Sequence, residues 1–101
     1  MKIDKDQSIA DLLDRLELKE RGWCIRDHWE ADLCAIGISN SSSSDRLVYV
    51  STFGLTAGRY NCECEQRNTQ SSLGYETVHE GQNITFDELV VVLERHLHDG
   101  I

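Results

Sequence analysis

The residues best suited to chemistry are four cysteines, four histidines and a set of closely spaced acids. Cys24, Cys34, Cys62 and Cys64 equal the count of an all-thiolate zinc site, and His28, four residues past Cys24, is an alternative ligand. No Cys-x-x-Cys knuckle occurs, however. The one close pair, Cys62-Glu63-Cys64, projects from one face of a strand at a separation of about 7 Å, too far for a shared ion without a bulge. Thiols that alternate with acids read as core positions, so the cysteines are assigned as structural and no metal or other cofactor is expected. Cys24 with His28, and His79 with Glu80, are the local nucleophile–base candidates. Glu63 and Glu65 are the paired carboxylates, but exposed acids without an apolar pocket have no reason to hold a shifted pKa. The segment Gly54-Leu55-Thr56-Ala57-Gly58 lacks the Lys-Ser/Thr of a phosphate loop and joins two strands. No catalytic residue is assigned, and the chain is read as not an enzyme.

The elements that must position these side chains follow from periodicity. Ser8, then Ile9, Leu12, Leu13 and Leu16, give the spacing of one buried helical stripe. This predicts a helix over Ser8 to Glu20, capped by Ser8 and ended by a left-handed Gly22. Short β-rich runs follow at Trp23 to Arg26, Ala31 to Ile38, Leu47 to Phe53, Arg59 to Gln66 and Tyr75 to His79. Asn40 to Asp45, with four consecutive serines, reads as a hairpin loop; Gly54 to Gly58 and Arg67 to Gly74 read as further loops, and Gly81-Gln82-Asn83 as a turn. Thr85-Phe86-Asp87-Glu88 is a capping box, and Phe86, Leu89, Val90, Leu93 and Leu97 then place a second helix over Phe86 to Leu97. The expected fold is a single α+β domain, residues 1 to 101, in which an antiparallel meander of four to five strands packs both terminal helices on one face.

Alternation sorts the strand residues into two faces. Tyr60, Cys62 and Cys64 fall with Val48 and Val50 on the face that the helices cover. The opposite face carries Tyr49, Ser51, Glu63 and Glu65, joined by Trp29 or Leu33, and no third helix remains to cover it. The chain has 101 residues with 18 acidic and 10 basic side chains, a formal net charge of −8. That charge disfavours nucleic acid and membrane surfaces and favours a basic protein partner. No apolar run approaches the roughly 18 residues of a membrane span, and the polar N-terminus has no signal-peptide core, so a cytoplasmic location is expected. Aromatic anchors supply buried area and acids select a cation. Trp29, Glu30, Asp32, Tyr49, Ser51, Glu63 and Glu65 are therefore the candidate partner-binding residues.

The layout has an N-terminal amphipathic helix, then Trp29-Glu30-Ala31-Asp32-Leu33, Arg46-Leu47-Val48-Tyr49-Val50-Ser51-Thr52 and Tyr60 to Glu65, and closes on the Thr85-Phe86-Asp87-Glu88-Leu89 helix. In this it resembles small acidic bacterial immunity proteins of polymorphic-toxin systems. The resemblance is one of layout and charge and transfers no residue role. It implies an inhibitor that covers the active site of a basic toxin domain, often a nuclease. The leading expectation is thus a non-catalytic binding module of immunity type. The alternative is a structural or small-ligand-binding domain, paired as a homodimer through its open sheet face or an edge strand.

Overall fold

A computed structural model describes residues 5–29, 32–70 and 74–97. Its first helix, α1 (Gln7–Leu16), starts one residue before Ser8. Asp6 is the cap and accepts from the Ser8 amide at 3.0 Å, while Ser8 Oγ turns to Thr52 Oγ1 at 2.7 Å. The expected single helix to Glu20 breaks at Glu17, which adopts a left-handed backbone (φ 49°, ψ 58°), and a four-residue turn α2 (Leu18–Arg21) follows. Arg21 Nε donates to the Leu16 carbonyl at 2.7 Å, so a carbonyl orphaned by the break is satisfied. Gly22, at φ 77°, ends α2 and turns the chain into the sheet.

The sheet is a meander in which each strand pairs antiparallel with the next: β1 (Trp23–Trp29), β2 (Asp32–Asn40), β3 (Ser43–Ser51), β4 (Arg59–Arg67) and β5 (Tyr75–Thr85). With α3 (Phe86–His96) closing the chain, this is the expected α+β architecture. The strands are longer than the β-rich runs. The serine segment is a turn of only Ser41 and Ser42, because Ser44 and Asp45 are held in β3 from the far strands. Tyr75 donates to the Ser44 carbonyl at 2.8 Å and Arg67 Nε to Asp45 at 2.9 Å. The expected turn at Gly81 to Asn83 is also strand: β5 runs through it with a bulge, and Asn83 takes φ 54°.

One core joins both helices to one side of the sheet. Ile9, Leu12 and Leu16 of α1 and Leu89 and Leu93 of α3 bury their stripes against Ile36, Ile38, Val48, Val50, Tyr60, Cys62 and Cys64. The cysteine-bearing face is thus the helix-covered one. The Thr85–Glu88 capping box starts α3 as read from the sequence, with Glu88 N–H donating to Thr85 Oγ1 at 3.2 Å and Thr85 N–H to Glu88 Oε1 at 2.9 Å. At the other end of α3, Asn40 Nδ2 donates to the Leu97 carbonyl at 3.3 Å and ties the helix to the β2–β3 hairpin. No helix is long and apolar enough to cross a membrane among the described residues.

Candidate functional site

The sheet register arranges the second face in cross-strand rows. The central row runs Asp27, Gly37, Tyr49, Glu63, Glu80 across all five strands. A neighbouring row runs Cys24, Ser39, Leu47, Glu65, Thr77, and on the other side Ala35, Ser51 and Asn61 line up. Four of the sequence-derived residues, Tyr49, Ser51, Glu63 and Glu65, therefore do share one face, and each is partly exposed. Asp32 joins them, with Oδ2 3.5 Å from the Tyr49 hydroxyl. Trp29 ends β1 opposite Asp32, but its side chain, like Glu30 as a whole, lies outside the described residues.

Glu80 is the residue that alternation missed. A bulge in β5 pairs Glu65 with Thr77 but Cys64 with His79, so Val78 is an extra residue and the face parity flips beyond it. Glu80 consequently lands directly opposite Glu63 on the open face, while its neighbour His79 turns to the helix side. This separates the two members of the His79–Glu80 candidate pair. The signal was unreadable from spacing alone, since strict alternation across Tyr75 to Glu80 puts Glu80 on the wrong side.

Carboxylates dominate the electrostatics of the row. Glu63 is pushed above the usual carboxylate range, first by partial burial and then by the hydrogen bond and charge of Glu80 and the charge of Glu65. The Tyr49 phenol is likewise raised, by burial and by the charges of Asp32 and Glu63. The face is not uniformly open. Ser39 and Ala35 are fully buried although their parity points outward. Bulges in β1 fold its chain over β2, so that Arg26 Nε donates to Ser39 Oγ at 3.0 Å. A Cβ on Gly37 would come within 3.2 Å of the Asp27 Cβ, which makes glycine the residue that permits this approach.

Two of the four cysteines have core roles, while Cys24 and Cys34 are only partly buried. Cys62 and Cys64 are buried, and burial raises both thiols, Cys64 to about 12. A thiol held neutral is a poor nucleophile and a poor ligand. Cys24 sits on the edge strand within 3.6 Å of both Ser39 Oγ and Arg26 Nη2. Among the described residues no three His, Cys, Asp or Glu side chains converge to hold a metal ion. No protein-family model matches the chain, and no curated protein or solved structure is significantly similar to it.

Proposed function

We propose that this chain is a non-catalytic binding module that docks its acidic open sheet face onto a basic protein and blocks it, in the manner of an immunity protein. The observation that carries the reading is the placement of Glu63 directly opposite Glu80, flanked by Glu65 and with Tyr49 and Asp32 alongside. Like charges directly opposite one another in a sheet cost stability. A small domain that keeps such a pair side by side on β4 and the edge strand β5 gains nothing for its fold, and features that break a local rule are where function is expected. A cationic partner would relieve the repulsion, and the net charge of −8 would steer its approach. The aromatic ring of Tyr49, in the middle of the row, supplies the anchor type that interfaces favour.

The test is affinity capture from a lysate of the source organism at low salt and at roughly 0.5 M salt, where screening weakens charge-driven contacts. The wild-type chain is compared with a Glu63→Lys/Glu65→Lys variant. The expected result is one stoichiometric basic protein, held more tightly at low salt and lost by the variant, whose thermal stability stays close to wild type. Unaltered capture by the variant would overturn this face as the docking site. An empty capture together with a concentration-dependent dimer of the bare chain would replace the reading by a structural, self-associating domain.

A further inference from the structure

Phe53 is 77% exposed, more than any other large apolar side chain among the described residues. It stands in the turn that follows β3. The Thr52 amide donates to the Cys34 carbonyl at 2.9 Å, which carries the β2–β3 ladder one step past Ala35 and Ser51. Phe53 lies just beyond that last bond, in a turn where strand alternation no longer applies, and its amide donates to Ser51 Oγ at 3.2 Å. Phe53 also lines a cleft of about 590 Å³ formed by the start of α1 and the 53–58 loop. That volume lies in the range of sites that take a ligand or a short peptide segment, roughly 300–1,000 Å³.

The charges that line this cleft are unequally occupied. Of its two arginines, Arg15 is stacked 3.8 Å from the centroid of the Phe86 ring, and Arg59 donates to the Asn83 carbonyl at 3.1 Å. Asp6 is committed to capping α1. Asp11, by contrast, accepts from the neutral amide of Gln7 at 2.7 Å, and Asp14 makes no hydrogen bond or ion pair with a described residue. The cleft thus carries an exposed aromatic ring and three carboxylates against two arginines, and Asp11 and Asp14 are in no ion pair among the described residues; such a lining has room for one further guanidinium, which stacks on a ring face and takes carboxylate oxygens in its plane.

Resting on the reading of the open face as a docking surface for a basic protein, we propose that this cleft receives a short arginine-bearing segment of the same partner, with Phe53 as the stacking wall and Asp11 and Asp14 as the counter-charges. The partner would thus cross the acidic row and end in a pocket at the α1 end of the sheet. The cleft sets specificity for arginine at one position, while the row supplies the general attraction.

The proposal is tested with a defined probe. The isotopically labelled full chain is titrated with N-acetyl-Gly-Arg-Gly-amide and, separately, with the same tripeptide carrying citrulline, which keeps the shape and removes the charge. The expected result is saturable amide shift changes at Phe53 to Arg59 and at Asp11 to Arg15 with the arginine peptide alone. Phe53→Ala, and separately Asp11→Asn/Asp14→Asn, should each weaken them about tenfold. Spectra of the variants outside the cleft should match wild type, since all three side chains are exposed. Equal shifts with the citrulline peptide, shifts confined to Tyr49, Glu63 and Glu80, or no shifts in the cleft would each overturn the proposal. The docking reading is decided separately, because the Glu63→Lys/Glu65→Lys comparison alters neither wall of the cleft.

Discussion

At the scale of single residues, side chains a few ångströms apart have opposite tolerances because the sheet divides them. Cys62 is 1% exposed and packs under the helices, so Cys62→Asp would bury a charge with no partner and should unfold the domain. A cooperative melt retained by that variant would mean the faces are reversed. One position along β4, Glu63 tolerates change. Glu80→Gln, which removes the charge facing it, should stabilise the fold slightly, by about a few tenths of a kcal/mol, and move the Glu63 titration down toward the ordinary carboxylate range. Carbon-detected titration of the glutamate carboxyls checks the second claim, and a denaturant melt of the same variant checks the first. His96 makes the opposite kind of link. Its half-buried ring places Nε2 2.7 Å from the Glu65 carbonyl, and burial, with the charges of Arg46 and His79, holds its pKa below the ordinary 6.5. The unfolded chain then binds a proton more readily than the folded one, so stability present above pH 6.5 is lost as pH falls through that value toward the lower folded one. Denaturant melts at about pH 7.5 and about pH 5 should show this loss, and His96→Gln should flatten it.

At the scale of elements, most ends are fixed by local chemistry that a substitution can address. Thr85→Ala removes the hydroxyl that accepts from Glu88 N–H and should cost about 1 kcal/mol, read as a fall in the urea midpoint with an unchanged slope. Gly37→Val tests the bulged edge: its side chain would collide with the Asp27 backbone, whose oxygen lies 3.3 Å from the position of a Cβ. Loss of about 1–3 kcal/mol is expected, with exchange protection falling first in β1. The bulges in β1 and β5 interrupt the row of edge donors that sheet-to-sheet pairing with another copy would use, and an edge so interrupted is protected from unplanned pairing.

At the scale of the whole molecule, charge and exposed area are distributed to different ends. Glu63, Glu65 and Glu80 lie on the open face along β4 and β5, and the exposed apolar side chains Leu33 and Phe53 lie at the start of β2 and just beyond the end of β3. If a basic protein docks there, the association rate should fall steeply with ionic strength, by about tenfold or more between low salt and 0.5 M, with a much smaller change in dissociation. Stopped-flow mixing with the captured partner measures both. Truncation of Phe53 should act the other way, raising the dissociation rate and leaving the salt dependence of association intact.

The sequence alone determined the class of fold, the helix-covered side of the sheet and the shared face of Tyr49, Ser51, Glu63 and Glu65, because these depend on periodicity. Apolar residues every three to four positions place α1 and α3, and alternation in Tyr60 to Glu65 separates thiols from acids whatever the neighbours are. The capping box at Thr85 was legible for the same reason, being contained within four residues. Only the tertiary structure decided where periodicity is interrupted. The serines drawn into β3 by Arg67 and Tyr75 and the bulge at Val78 that turns Glu80 onto the open face depend on partners distant in sequence, while the helix break at Glu17 is held by its amide on the Leu13 carbonyl and by Arg21 on the Leu16 carbonyl. The cleft beside Phe53 belongs to the same class: its walls are more than 35 residues apart along the chain, and only packing of α1 against the sheet brings Asp11 and Asp14 to that loop.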